Sequence, residues 1–412
     1  VVATASVSSP FAAFGVQHFP AVWVSGLIWN ICRWGVAFVG TFLINEMTGS
    51  PRLVQLAGTM LYAPLLLGGV IGGVISDRFD RLNTVRAQMA FLVPLSVGVA
   101  LLVRADRIEV WMLYVFMFIV GLGWVSDMTS RRALVFDLVG EKHLDNAMAM
   151  EALSLSSGMV FGALAGGYAI EAIGISAAYL MIGILSAVGF MALLRVEAPR
   201  AEKKTVADTS AKADLIAGLK VLRQTPRVVS ILGVTVIANF FLFSYFPIIP
   251  VVAEALDASA LLVGLLAAGT GIGMMTGSMI VARTTPHHRG RVYLIGVFIA
   301  LVMLVPFALA RTYWIALAFI IVSGVGSGFF GATQSTLTMV AVPEEIRGRT
   351  LGLLSMAIGA LPIGMYALGE TAEQIGVTPA LITSASIGFV ALAVWIRMRP
   401  EVARMVAEPS RS

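Results

Sequence analysis

Arg33 stands in the middle of a long apolar run, three positions after Asn30. That spacing puts the two side chains on one helical face. A guanidinium held away from water is costly unless it meets an acid or a wet cavity. The pair therefore reads as a binding element for an anionic group, or as the partner of a buried carboxylate. Glu151 is the acid set deepest in an apolar run. Burial favours its neutral form, which suits a carboxylate that takes up and releases protons. A fixed pairing with Arg33 or Arg132 is the other reading of the same glutamate. Further along, Asn239-Phe240-Phe241-Leu242-Phe243-Ser244-Tyr245-Phe246-Pro247 is followed by Pro250. Asn239, Phe243 and Tyr245 combine apolar bulk with polar handles, as in the wall of a drug-like pocket. An interfacial aromatic belt accounts for part of this run equally well. Its prolines must interrupt the helical hydrogen-bond ladder, which suits a gate. Gln334 is a second polar lining candidate. Trp29 and Trp34 beside the Asn30–Arg33 pair, with Ser154 and Met159, complete the set.

The elements that carry these residues follow from composition. The chain has 412 residues, of which 12% are charged, and a mean hydropathy of +0.91. A soluble domain averages about 25% charged residues, and its core could not absorb so much apolar surface. A bilayer-spanning helix needs about 20 apolar residues. Twelve such runs are expected, at about 21–43, 54–75, 84–103, 111–130, 145–168, 174–195, 228–252, 259–282, 291–310, 313–338, 349–370 and 377–396. No cleavable secretory leader is expected, because the first run is long enough to span and further spans follow it.

Connections are short except near the midpoint. That divides the chain into an amino-terminal bundle of six helices (1–195), a polar linker (196–227) and a second bundle of six (228–412). Within the linker, Leu215, Ile216, Leu219 and Leu222 recur at helical spacing, as in an interfacial helix. Basic residues then test the topology. Of the 28 lysines and arginines, Arg52, Arg104, Arg107 and Arg311 fall on one side and Arg33 lies within span one. All the others fall on the side of the linker and both termini. The positive-inside rule puts that side in the cytoplasm.

The halves echo one another at an offset near 203. Val139-Gly140-Glu141-Lys142 and Val342-Pro343-Glu344-Glu345 each follow an even-numbered span, and Gly73 corresponds to Gly277. Internal repetition of this kind is common in secondary transporters.

The connector after the second span reads Gly72-Gly73-Val74-Ile75-Ser76-Asp77-Arg78-Phe79-Asp80-Arg81. It resembles the loop between spans two and three of the major facilitator superfamily, with Gly73, Asp77, Arg78 and Arg81 matching. Asp80 replaces the usual glycine and Leu82 the second basic residue. The stretch from Val342 to Arg349, Asp137-Leu138-Val139 and Asn146-Ala147 are similar to the drug and siderophore exporter subgroup that includes enterobactin exporters and macrolide efflux proteins. Gly158, Gly162, Gly166 and Gly167 resemble the exporters' glycine motif, with Leu164-Ala165 where its proline usually stands. The resemblance implies the major facilitator fold and a conformational latch. In that latch, which also includes Gly73, Asp77 faces the start of span eleven, and Arg78 and Arg81 pair with an acid near the end of span four, here Asp127, with Arg131. Contacts that exist in one bundle arrangement and break in the other bias a two-state equilibrium.

Several classes are disfavoured. No Gly-rich loop ends in Gly-Lys-Ser or Gly-Lys-Thr, so ATP hydrolysis is not expected. The lone Cys32 excludes an internal disulfide, and His18, His143, His287 and His288 make no zinc set. No nucleophile–base pair points to an enzyme, and the basic excess is explained by topology rather than by nucleic acid.

The expectation is an all-α membrane protein of twelve transmembrane helices, monomeric, without a cofactor or metal. It sits in the bacterial plasma (inner) membrane with both termini cytoplasmic, in contact with lipid, protons and a small-molecule substrate. Asn30, Arg33, Glu151, Asn239, Phe243, Tyr245 and Gln334 are the expected substrate-binding residues, and Glu151 the proton-coupling one. The expected function is proton-coupled export of an amphipathic small molecule by alternating access. A facilitator or importer of an anionic or lipid-like solute is the alternative, and a non-transporting receptor or scaffold the reading from another class.

Overall fold

The computed structural model describes residues 12–67, 80–197, 225–284, 286–343 and 346–405. The expected latch residues Gly73, Asp77 and Arg78 and the expected interfacial helix of the linker lie outside them. Eleven helices of the described residues are long and apolar enough to cross a membrane. With α2 they make a twelve-helix fold in two pseudo-symmetric halves. The first half comprises α1 (Phe19–Thr48), α2 (Pro51–Tyr62, continued by a 3-10 turn, Ala63–Leu67), α3 (Arg81–Arg104), α4 (Val110–Gly140), α5 (Lys142–Ile173) and α6 (Ile175–Leu193). The second comprises α7 (Pro226–Glu254), α8 (Ala260–Thr284), α9 (Arg289–Leu309), α10 (Tyr313–Val340), α11 (Thr350–Ile375) and α12 (Val377–Met398).

Local chemistry sets the ends of these helices. Ser50 caps α2 by accepting from the Leu53 amide, and Asp80 caps α3 by accepting from the Asn83 amide. One-residue turns at Gly174 (φ 86) and Gly376 (φ 90) connect α5 to α6 and α11 to α12. Both need a positive φ that a β-carbon disfavours, and they sit at equivalent places in the two halves. Large apolar side chains such as Phe91, Ile184 and Met398 remain exposed on the outside of the bundle, as expected where lipid replaces water. Trp111 and Trp314, 203 positions apart, are exposed at equivalent helix starts. There they suit the membrane–water boundary.

The alternation of short turns defines two ends. The turn end carries the α1–α2, α5–α6, α7–α8 and α11–α12 connections. The linker end carries residues 197 and 225, between which the polar linker runs.

Helix α7 is broken as its prolines require. An α-helical stretch (Pro226–Ile237) passes through a π-turn (Ala238–Leu242) into a 3-10 segment (Phe243–Ile248), then a last α-turn (Ile249–Glu254). In a 3-10 segment the Ser244 carbonyl would accept from residue 247, but Pro247 has no N–H. That carbonyl is left free for another partner.

Candidate functional site

A partly open pocket lies between the two halves, with a cavity volume of about 50 Å³. Trp34, Tyr62 and Met159 line it from the first half, and Phe246, Pro247 and Ala267 from the second. Its walls are mostly apolar and aromatic, and the Trp34 and Phe246 rings meet edge to face across it at 6.1 Å.

Arg33 lies one layer behind this wall. It is fully buried. Its central guanidinium carbon sits 4.6 Å from the Trp34 ring centroid and 4.2 Å from that of Trp124. Tyr62 is a polar neighbour and packs edge-on against Trp124 at 5.2 Å. The Tyr62 hydroxyl stands near the guanidinium, and no hydrogen bond of good geometry forms to Nε, Nη1 or Nη2 among the described residues.

Asn30, on the same face, is engaged. Its amide donates to the Gly26 carbonyl (3.0 Å) and to Ser154 Oγ (3.2 Å), stitching α1 to α5. Gly158 lies so close that an added β-carbon would stand 2.4 Å from Asn30 Cβ. Because Ser154 marks the level of Asn30, Glu151 and Arg33 are about 9 Å apart along the seam, Glu151 nearer the linker end. The two are not bonded. Glu151 Oε1 is buried without a hydrogen-bond partner.

The remaining candidates on the second half are bound to their surroundings. Gln334 donates to Thr235 Oγ1 (3.0 Å), which shares a hydrogen bond with the Tyr293 hydroxyl (2.9 Å). Asn239 donates to the Thr235 carbonyl, and the Tyr245 hydroxyl bonds Thr270 Oγ1. Phe243 packs on Phe246 and Phe330. These residues tie α7 to α8, α9 and α10, and none of them lines the cavity between the halves.

Near the linker end, Asp127 Oδ1 accepts from Arg131 Nε (2.8 Å) and from the Gln88 side chain. Arg131 Nη1 in turn donates to the Val22 carbonyl (3.0 Å) and Ser25 Oγ (2.8 Å). The buried group ties α4 to α1 and α3. Arg81 meets Asp137, not Asp127. This pair is partly exposed, so solvent screens it and holding two side chains costs entropy. Asp137→Asn is expected to shift stability by less than about 1 kcal/mol. A drop of several degrees in melting temperature in detergent would contradict that.

Sequence reasoning did not single out the contacts that join the halves. At the turn end Asn45 donates to Glu254 Oε2 (2.6 Å), and Gln55 reaches the free Ser244 carbonyl (3.1 Å). Glu373 accepts from Ser50 Oγ (2.8 Å) and from the Arg52 amide (3.3 Å) at the start of α2. Glu171 accepts from the Leu261 amide (2.9 Å) at the start of α8. These last two are related by the pseudo-symmetry: each half's carboxylate caps a helix of the other. Arg52 also pairs with Glu370. Helices α5 and α8 approach so closely there that a β-carbon on Gly264 would stand 2.6 Å from the Ala163 carbonyl. Among the described residues, no hydrogen bond or ion pair joins the halves at the linker end. The available signal was polar residues at the ends of apolar runs, and the prolines that imply a free carbonyl.

A sequence model of the Major Facilitator Superfamily matches residues 19–356 and 231–412. The chain belongs to this superfamily. Macrolide efflux protein A of Streptococcus pyogenes is 21% identical over 382 residues, covering 88% of this chain and 91% of the relative. An enterobactin exporter of Salmonella typhi is 26% identical over 340 residues, covering 78% of each. Among solved structures, a POT family transporter in complex with 5-aminolevulinic acid superimposes with a TM-score of 0.75. Its identity is 11%, over 94% of this chain and 97% of that one. A bacterial homolog of the human lysosomal transporter Spinster, in an inward-facing and unoccupied conformation, gives 0.66 at 16% identity, over 94% and 95%. The superfamily and its fold make this chain a multi-pass membrane transporter of small solutes rather than an enzyme. Its bacterial relatives support an inner-membrane location.

Proposed function

We propose that this protein belongs to the drug and siderophore exporter subgroup and moves an amphipathic small molecule out of the cytoplasm by alternating access, in exchange for protons. One observation carries the reading. The hydrogen bonds and ion pairs that join the halves among the described residues lie at the turn end, with one more, Thr59 to the Pro362 carbonyl, at mid-depth, beside a cavity walled by aromatic and apolar side chains. The basic residues assign the linker end, with both termini, to the cytoplasm. We read this as closure toward the outside, opposite the side from which an exporter loads. The efflux relatives favour this direction over import.

In this reading residues 1–195 and 228–412 rock as two bundles joined by the 196–227 linker, within a monomer. The Asp127–Arg131 group and Arg81 belong to the cytoplasmic latch with Gly73, Asp77 and Arg78. Asn30, Asn239, Phe243, Tyr245 and Gln334 set the shape of the cargo site. Glu151 carries the proton. It lies between the cavity and the cytoplasmic end, and one carboxylate oxygen has no fixed partner. A carboxylate locked in an ion pair could not exchange its proton so readily.

The test is transport in reconstituted vesicles under an imposed pH gradient. Glu151→Gln is expected to abolish gradient-driven flux while leaving passive exchange of cargo across the same vesicles. Coupled flux at the wild-type rate in the mutant would remove Glu151 from the proton path.

A further inference from the structure

We propose that Arg33 is an anion-recognition site and that the cargo is an amphipathic carboxylate. The acid seats on the guanidinium, and the apolar body lies in the cavity against Trp34 and Phe246. The inference rests on the cavity being the cargo site.

Arg33 is a cation without a counter-ion. The acid closest to it along α4, Asp127, is committed to Arg131 and Gln88. Glu151 lies about two helical turns away along the α1–α5 seam. No ion pair of the described residues includes Arg33. The two tryptophans attract the cation through their ring faces, but ring faces do not accept the directed N–H bonds of the guanidinium edge. The five donors of the fixed planar fork are therefore buried with the Tyr62 hydroxyl as a neighbour and no carboxylate of the described residues to accept from them. Leaving a buried charged donor unsatisfied is expensive, and the expense disappears when an acceptor arrives. The fork matches two coplanar oxygens best, which is the geometry of a carboxylate.

The route from the cavity to Arg33 is short. Trp34 and Tyr62 line the cavity, and both also contact or neighbour the guanidinium. A cargo acid reaches the fork by displacing the Tyr62 side chain, whose ring rests edge-on against Trp124. A neutral or cationic cargo gains nothing from that displacement and leaves Arg33 unpaired. The site thus discriminates by charge at one end and by apolar fit at the other.

The experiment compares two probes of equal shape, 2-naphthylacetic acid and its methyl ester, on the full-length protein in lipid nanodiscs near neutral pH. Binding is read by quenching of tryptophan fluorescence. The acid is expected to bind at least about tenfold more tightly than the ester, and Arg33→Leu to remove that preference while leaving ester binding in place. Arg33→Lys keeps the charge but loses the fork, and is expected to retain only part of the preference. Equal binding of acid and ester to the wild type overturns the proposal, and needs no variant to fold. So does an acid preference that survives in Arg33→Leu. Failure of pH-driven flux with the acid preference intact would sink the export reading alone. pH-driven transport of the ester with no acid preference would sink this inference alone.

Discussion

Asp127→Ala is expected to destabilise the amino-terminal bundle by about 3–5 kcal/mol, the range found when one partner of a buried ion pair is removed. Asp127 and Arg131 are both buried. Their charges neutralise each other one helical turn apart on α4, at 2.8 Å. Removing the carboxylate leaves Arg131 as an uncompensated cation, still held by the Val22 carbonyl and Ser25 Oγ but too deep to be hydrated. The backbone of α1 gives it little room, since a β-carbon on Gly26 would lie 3.2 Å from Arg131 Nη1. It also strips Gln88 of its acceptor. Asp127→Asn keeps an acceptor oxygen and is expected to cost less. The double variant Asp127→Ala with Arg131→Leu is expected to recover part of the loss, because it deletes the unpaired charge along with its partner. Thermal unfolding in detergent, followed for the three variants, checks the order. A double variant no more stable than Asp127→Ala would show that the loss is not one of charge pairing.

The second large effect concerns the balance between states rather than stability. Neutralising both turn-end carboxylates, Glu171→Gln with Glu373→Gln, is expected to favour opening at that end. Each accepts from the amino-terminal turn of a helix in the opposite half. An anion is favoured there by the helix dipole. Glutamine keeps an acceptor oxygen but loses the charge. Losing both charges weakens the two clasps together and shifts the two-state population toward the form open at that end. Because the clasps are pseudo-symmetric, either single variant is expected to give about half the free-energy change. Spin labels at positions 106 and 311, in the α3–α4 and α9–α10 turns, report the separation of the halves. The long-distance population is expected to grow in the double variant. An unchanged distance distribution would mean that the remaining contacts, Asn45–Glu254, Gln55 with the Ser244 carbonyl and Arg52–Glu370, hold the end closed without the two clasps.

Much of this architecture is written in the order of residues. Runs of about 20 apolar positions can only be spans, and over the described residues each expected span coincides with one of the twelve helices, several of which extend further than hydropathy suggested. The gain in length comes at ends such as Asn45-Glu46, where polar residues continue a helix past the apolar run. The break in α7 was legible because Pro247 lacks an N–H whatever surrounds it. Asp127 and Arg131 were singled out by the family resemblance, and the four-residue spacing on one helix is what brings their side chains together.

What the sequence by itself determined was therefore everything that depends on short range: hydropathy, helix spacing, missing donors and the asymmetry of charge. The tertiary structure alone decided which free group meets which. It gave Arg81 to Asp137, the Ser244 carbonyl to Gln55, and Glu171 and Glu373 to helices of the opposite half. It set Arg33 between two tryptophans, one of them 91 positions away. Such pairings depend on how two bundles sit against each other, and no local pattern encodes that placement. It follows from packing, where close approaches such as Gly264 on the Ala163 carbonyl leave few alternatives.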